Sequence, residues 1–478
     1  MNIENYRIHH IRPRFKNDIE SVLAFMANEI SNIGRESGIE FKKQMNNAIR
    51  FYPGNASLKE KTINNWRTEI SALFGLILEY DNHIEPSKRN LALSSSGNLI
   101  EFFRNFLFYF QYPGGHLKPK EAMEMVRAGI KFKPAAYILK LLVYGTTQLE
   151  GKRFGLSKAE ATHLIFNNLK VTRDQAPCED IYDLVMKNRT EGFEYDQTGD
   201  VVRYAGDILD YLVLADLADC KIDNKYYPKM QNLHLIDEYL SDEGYFDGYD
   251  ELYSKKEINI DDIKAQQLNW QMYSTQSNER LKYTIAPVGK LKSKEKSKEP
   301  TSSKRDIERA SVAITEDIKA RLEQVMNTSS TTLDIGNLGE AISIEHEKNR
   351  IKLAGGEDQI HKIQKIPEQY SMGFDIKSLS GIDGDFSQIF IEVKSTTSRN
   401  KLTAFSFNLT TNEFSSAKTH RGLYFIYRIF LTEEDISLFV INDPVSRAFR
   451  EEIDLNLTSN GGQFKFSDQA GHWEKILI

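Results

Sequence analysis

The sequence predicts a multidomain protein in which a mainly α-helical N-terminal region with helix-plus-hairpin units is tethered to a C-terminal α/β domain. Three observations carry this. The chain has 478 residues, more than one hydrophobic core accommodates, which implies roughly three or four domains of ordinary size. Between Ala286 and Arg305 it carries Lys290, Lys292, Lys294, Lys296, Lys298 and Lys304 among Ser, Pro and Glu with almost nothing apolar. Such a stretch buries too little surface to fold and reads as a flexible linker. Before it apolar residues recur at helical spacing, whereas Gln388 to Lys394 alternates, the pattern of a half-buried strand. The expected divisions are 1–120, 121–284, a linker at 285–306, and 307–478.

Composition excludes several classes. No run approaches the ~18 to 20 apolar residues that span a bilayer. Met1-Asn2-Ile3-Glu4-Asn5 lacks a signal-peptide pattern, so a cytoplasmic protein with no membrane partner is expected. Two cysteines, Cys178 and Cys220, argue against a disulfide framework or a thiolate zinc site and read as buried or partly buried thiols.

In the N-terminal region, Thr62 to Tyr80 carries Trp66, Ile70, Leu73, Phe74 and Ile77 at helical spacing, with Trp66 and Phe74 as packing residues. A short polar strand within Pro86 to Ser94 and an apolar helix from Leu99 to Phe110 follow. That order is what a winged helix-turn-helix looks like in sequence. A second such unit is expected from Pro134 to Asp174, where Ser157-Lys158-Ala159-Glu160 is a capping box opening a helix through Asn167 or Asn168. A third is expected from Ala205 to Tyr227, ending in a wing at Lys221 to Tyr227. Reading a major groove needs a helix with short polar side chains outward. The Ser157-capped helix, with Lys158, Thr162, His163, Asn167, Asn168 and Lys170, is therefore the first expected DNA reader. Arg12 and Arg14, in the basic segment His9 to Lys16, are expected to follow a phosphate backbone or minor groove. The net charge of −6 does not oppose this, because acid concentrates between Asp237 and Asp262, a run read as solvated surface, and leaves the remainder close to neutral.

Beyond the linker, Ile307 to Met326 reads as a charged amphipathic helix. Leu333 to Arg350 reads as another, with Leu338, Ala341, Ile342 and Ile344 on its apolar face. Gly339 permits close approach to a sheet and is followed by Glu340, the expected auxiliary metal ligand, with Glu345 as the alternative. In Gln388 to Lys394, Ile389, Ile391 and Val393 share one strand face, and Phe390, Glu392 and Lys394 the other. The turn-prone Ser380-Gly381-Ile382-Asp383-Gly384-Asp385 lets the segment carrying Asp375 fold back as a hairpin partner. Asp375 and Glu392 would then hold a hard cation through oxygen. Lys394 would orient or help deprotonate an attacking water and stabilise developing phosphate charge. Asn412 and Glu413 read first as a cap for the helix through Ala417, and His420 and Arg421 as surface or phosphate contacts.

Gly339-Glu340, Gly373-Phe374-Asp375-Ile376, Ile391-Glu392-Val393-Lys394-Ser395-Thr396, Phe407-Asn408-Leu409-Thr410, Asn412-Glu413 and Tyr424 together resemble the PD-(D/E)xK nuclease superfamily, in particular a C-terminal nuclease-like family of bacterial restriction and defence proteins. Phe374 stands where that family usually has Pro. The resemblance covers roughly residues 330 to 448 and implies a restriction-endonuclease-like mixed sheet, with Asp375, Glu392 and Lys394 catalytic and Asp375, Glu392 and Glu340 binding Mg²⁺, for which Mn²⁺ would substitute. With the helical region, the layout resembles restriction endonucleases whose recognition and cleavage domains are separate, as in type IIS enzymes. It implies double-stranded DNA as partner and, because one site cuts one strand, a homodimer formed on DNA. A catalytically silent DNA-binding protein, or a nuclease for modified DNA or RNA, are the rival classes.

Overall fold

The computed structural model describes residues 5–52, 55–282, 335–367, 372–382, 384–397, 405–431, 436–458, 461–466 and 468–477. They form two compact units, 1–94 with 99–282, and 95–98 with 283–478. The linker expected at 285–306 and the helix expected from Ile307 to Met326 lie outside the described residues.

The first unit is mainly helical. It opens with α1 (Ile19–Ile33), β1 (Glu36–Ser37), α2 (Gly38–Phe51), α3 (Glu60–Thr68), β2 (Ile77–Tyr80) and β3 (His83–Pro86), the strands forming an antiparallel sheet in the order β1-β3-β2. Ser37 caps α2 by accepting the Glu40 N–H. Asp81 and Asn82 both adopt left-handed backbone, φ 47° and 60°, as a tight two-residue hairpin turn requires. The helix expected to reach Tyr80 therefore ends earlier. It runs from α3 into a π turn at Glu69–Leu73, Gly75 takes φ +66°, and Ile77–Tyr80 is strand. The polar strand expected within Pro86 to Ser94 is instead helix α4 (Lys88–Ser96), because the Ser87 hydroxyl accepts the Asn90 N–H and nucleates a turn.

After α5 (Leu99–Tyr109) and α6 (Pro119–Arg127), the same order recurs. It runs α7 (Pro134–Thr147), β4 (Leu156–Ser157), α8 (Lys158–Ala161), α9 (Leu169–Thr172), α10 (Cys178–Thr190), α11 (Gly199–Leu214), β5 (Ala218–Cys220) and β6 (Lys225–Pro228), with sheet order β4-β6-β5. Since β4 pairs with β6, the second and third expected units are one. The capping box at Ser157 and Glu160 is present, but the helix it opens has four residues before passing into a π turn at Thr162–Phe166. Helices α12 (Leu233–Leu240), α13 (Asp250–Tyr253), α14 (Ile260–Lys264) and α15 (Gln267–Ser274) complete the unit. The acidic stretch that contains several of them is partly tied down, with Lys131 2.7 Å from Asp250 and Lys133 paired with Asp242.

No division falls at residue 120. Phe74 lies 5.3 Å from Phe106 and 6.1 Å from Tyr211 of α11, and Phe103 stacks on Tyr211 at 5.8 Å. One aromatic core thus joins both repeats. Cys178 is buried as expected, whereas Cys220, at the end of an edge strand, is exposed.

The second unit comprises α16 (Ile335–Leu353), β7 (Gln364–Lys365), β8 (Ile376–Leu379), β9 (Gln388–Thr397), β10 (Phe405–Thr410), α17 (Thr411–His420), β11 (Tyr424–Leu431), β12 (Ile436–Asn442), α18 (Pro444–Phe449), β13 (Ile453–Thr458), β14 (Gly461–Phe466) and β15 (His472–Glu474). Six strands form a mixed sheet, β15-β12-β11-β9-β8-β7, in which β9 and β11 are parallel and the other neighbours antiparallel. A smaller antiparallel sheet has the order β10-β14-β13. Ile389, Ile391 and Val393 pack with Ile335, Leu338 and Ile342 of α16; each fully buried aliphatic side chain contributes roughly 1.5–3 kcal/mol. Alternation then commits Glu392 and Lys394 to the opposite face. Among the described residues, no helix is long and apolar enough to cross a membrane.

Candidate active site

The strand pairing builds the site. Ile376 stands opposite Ile391 in the β8–β9 ladder. Asp375, one residue earlier, donates its N–H to the Ile391 carbonyl (3.0 Å) and accepts the Val393 N–H on Oδ2 (2.7 Å). Two glycines let neighbours close in. A Cβ on Gly339 would sit 1.7 Å from Ser395 Oγ, so α16 approaches β9 as the sequence predicts, with Glu340 beside it. A Cβ on Gly373, at φ +77°, would meet the Asn412 carbonyl at 2.4 Å. That second approach brings in the start of α17 and with it Glu413, and the Tyr424 hydroxyl holds the turn by donating to the Gly373 carbonyl (2.9 Å).

Glu413, read from the sequence first as a helix cap, also joins this cluster. It caps α17 reciprocally with Thr410, as expected, and the same carboxylate lies 3.1 Å from Lys394 Nζ. Lys394 also pairs with Glu392 at 2.6 Å. Glu340 pairs with Lys365 at 2.7 Å and acts on Asp375 electrostatically. Glu345 pairs with Lys348 at 2.6 Å.

The charges do not balance. Burial, with Glu340 and Glu413 adding to it and the Val393 N–H and Lys394 opposing, pushes Asp375 up to about 6. Burial raises Glu392 well above the usual carboxylate range, against the pull of Lys394 and with the help of Asp375 and Glu413. Burial would lower Lys394, but Glu392 and Glu413 overcome it and keep the ammonium protonated. Glu392 Oε2 is buried without a hydrogen-bond partner. Four carboxylates, Asp375, Glu392, Glu413 and Glu340, thus share the ammoniums of Lys394 and Lys365. Among the described residues no three acidic, His or Cys side chains are grouped so as to hold a metal ion by themselves. An orphaned oxygen within an anionic surplus fits a hard divalent cation.

The first unit contains a buried charge cluster of opposite balance. Asp207 on α11, with a fully buried side chain, receives Arg12 Nε at 2.5 Å and Lys16 Nζ at 2.5 Å, and His10 Nε2 lies 3.6 Å away. Burial would raise its pKa, but the nearby His10, the hydrogen bonds of Arg12 and the charge of Lys16 hold it well below the usual range. Lys16 also reaches Asp210 (2.8 Å), which pairs with Lys158 (3.0 Å). Arg12 and Lys158, far apart in sequence, are therefore neighbours, and Lys16 joins them.

The other expected reading residues do not form one outward stripe. Thr162 and Asn168 are buried; the Thr162 hydroxyl donates to the Lys158 carbonyl (2.8 Å) and Asn168 caps α9. The π turn rotates both inward. His163 stacks against Tyr195 and donates to the Asp196 carbonyl (2.9 Å). Asn167, half-buried, accepts the Tyr6 N–H through its backbone, and Lys170 is half-buried. Arg14 is exposed beside Glu69 at 3.4 Å.

Comparison with known proteins decides the family. The model "Restriction endonuclease BpuJI - N terminal" matches residues 2–271, more than half of the chain. The chain belongs to this BpuJI family. A second model, "Protein NO VEIN, C-terminal", matches residues 339–441, which contain Glu340, Asp375, Glu392, Lys394 and Glu413. The BpuJI region is also similar to a crystal structure of pyrene- and phenanthrene-modified DNA in complex with the BpuJ1 endonuclease binding domain, at 25% identity and TM-score 0.51, covering 57% of this chain and 98% of that chain. A search of curated proteins returned no match.

Proposed function

We propose that the protein is a metal-dependent DNA endonuclease of restriction type, type II with a IIS-like separation of reading and cutting. In this reading the BpuJI region binds double-stranded DNA and the C-terminal unit, a PD-(D/E)xK nuclease, hydrolyses a phosphodiester. One observation carries the second half: buried, under-neutralised carboxylates, one with an orphaned oxygen, stand beside a protonated lysine on one strand.

Asp375 and Glu392 would hold Mg²⁺, with Glu340 as auxiliary ligand and Mn²⁺ able to substitute. When bound, the cation supplies the positive charge that polarises a phosphoryl oxygen. Lys394 is held protonated by Glu392 and Glu413, which favours orientation of the water and stabilisation of developing phosphate charge over proton abstraction. Glu413 fixes that ammonium.

The repeated helix–strand–helix–hairpin order supports two winged-helix units. In the second, Tyr204, Asp207 and Tyr211 of α11 are buried, so that helix is covered. In the first, α3 turns Ile63 and Trp66 inward and leaves Lys61 and Thr68 exposed with Asn64 half-exposed, the short polar stripe a major-groove reader needs. We assign base reading to α3, and phosphate contact to Arg12, Arg14 and Lys158. The expected active form on DNA is a homodimer.

The test is plasmid cleavage with Mg²⁺, with EDTA and with Lys394→Ala. Loss of cleavage in both is expected; cleavage that neither alters overturns the site.

A further inference from the structure

We propose that the catalytic face carries a stacking platform for one unpaired nucleotide, formed by the rings of Phe390 and His420 with the Lys377 ammonium beside them. The proposal rests on the nuclease reading of the neighbouring carboxylates and adds a substrate class to it.

The segments that supply Asp375, Glu392 and Glu413 each also supply an aromatic ring. Phe374 immediately precedes Asp375. Phe390 precedes Glu392 by two residues on the same face of β9, roughly 7 Å along the strand. His420 follows Glu413 by seven residues on α17, two helical turns along the same side. The three rings meet: the centroids of Phe390 and His420 are 3.8 Å apart with planes inclined 34°, and Phe374 lies 4.7 Å from Phe390. Phe374 is buried, whereas Phe390 and His420 are half-exposed, so the layer has a floor and an accessible top. Lys377 stands directly opposite Phe390 in the β8–β9 ladder, which puts both side chains on one face. No ion pair joins Lys377 to an acid among the described residues.

A tilted pair of rings with a lysine opposite Phe390 on the neighbouring strand, two residues along from Glu392, suits a nucleotide: the base would lie on the rings and its phosphate would meet the lysine. Such stacking tolerates any base, since every base has a π-face. A base inside an intact duplex already stacks on its neighbours. The platform therefore selects a strand with an unpaired nucleotide beside the scissile phosphate, as at a single strand, a frayed end or a melted step.

The experiment uses the full chain in EDTA and a single-stranded oligonucleotide containing 2-aminopurine, read by fluorescence quenching and anisotropy, with an unlabelled duplex as control. His420→Ala should weaken single-strand binding by about tenfold, the scale of one lost base–aromatic stack, and remove quenching. His420→Phe should restore both, and Lys377→Gln should weaken binding while quenching at saturation persists. Duplex affinity and melting temperature should be unchanged in all three. Single-strand binding unchanged in His420→Ala, or not restored in His420→Phe, overturns the platform. Binding in EDTA needs no hydrolysis, so the two readings fail separately. Plasmid cleavage with a His420-independent single strand removes the platform alone, and a His420-dependent stack without cleavage under any metal removes the nuclease reading alone.

Discussion

Two buried charge clusters, one in each unit, carry opposite imbalances. Around Asp207 the cations Arg12 and Lys16, with His10, outnumber the carboxylate, and its pKa falls. Around Asp375 and Glu392 the carboxylates outnumber the ammonium of Lys394, and both acids rise. A buried ion pair is satisfied only when geometry and hydrogen bonds offset the desolvation of its members. In the Asp207 cluster both carboxylate oxygens accept from Arg12 or Lys16, which fastens the N-terminal segment onto α11. In the Asp375–Glu392 cluster Glu392 Oε2 is left without a partner, and on the proposed reading that incompleteness is what a cation-binding site requires of its protein.

The largest test of this contrast is Lys394→Ala. On the nuclease reading it should lower the cleavage rate by about a hundredfold or more, the cost of losing one preorganised charge-stabilising group, and leave duplex affinity unchanged in a gel-shift titration. Loss of duplex affinity would mean that the clusters are not separable. Asp207→Asn comes next: it removes the charge partner of Arg12 and one of the two of Lys16, and urea unfolding of the first unit should show a loss of about 3 kcal/mol.

Asp375→Asn should have the opposite sign in EDTA. Its folded-state pKa of about 6 lies above the ~3.9 of an unfolded chain, so the ionised form destabilises the fold at neutral pH. The substitution should stabilise the second unit by about 1–2 kcal/mol, and this gain should vanish when Mg²⁺ is added to the native protein. A destabilised Asp375→Asn in EDTA would show that the cluster is already neutral.

The smallest effect is the response to pH without metal. A carboxylate with a raised folded pKa stabilises below its unfolded value and loses that contribution as pH rises through the folded one, so lowering pH from 7.5 to 5 should tighten the second unit. His10 and His116, both lowered by burial, stay neutral while an unfolded chain protonates near ~6.5; the same change loosens the first unit. Asp207 adds nothing in this window, since its stabilisation is lost only below the unfolded value of ~3.9. Hydrogen-exchange mass spectrometry should therefore show protection moving in opposite directions in the two units. Parallel movement would break the contrast.

What was legible in the sequence followed locality. Alternation in β9 fixed the faces of Ile391, Glu392, Val393 and Lys394, because strand periodicity is a property of consecutive residues. Gly339 announced the close approach of α16, and Ser157 with Glu160 announced a cap. The length of the helix after that cap was not legible, because a π turn depends on what packs against it, and so Thr162 and Asn168 turned inward. The strand at Ile77–Tyr80 was missed because its apolar residues also fit a helical stripe; Gly75 and Asp81-Asn82 were the signal that would have found it.

By itself, then, the sequence determined the chemistry available: two acids and a lysine at hairpin spacing, a helix bearing Glu340, and a mainly helical region ahead of a lysine-rich stretch. Tertiary structure alone decided which charges meet. Glu413 reaches Lys394 because Gly373 admits the start of α17, Arg12 and Lys158 become neighbours through Asp207, Lys16 and Asp210, and the second and third expected units merge because β4 pairs with β6. The reason is physical: periodicity and capping are settled within a few residues, whereas the balance of a buried charge is settled by everything that excludes water from it.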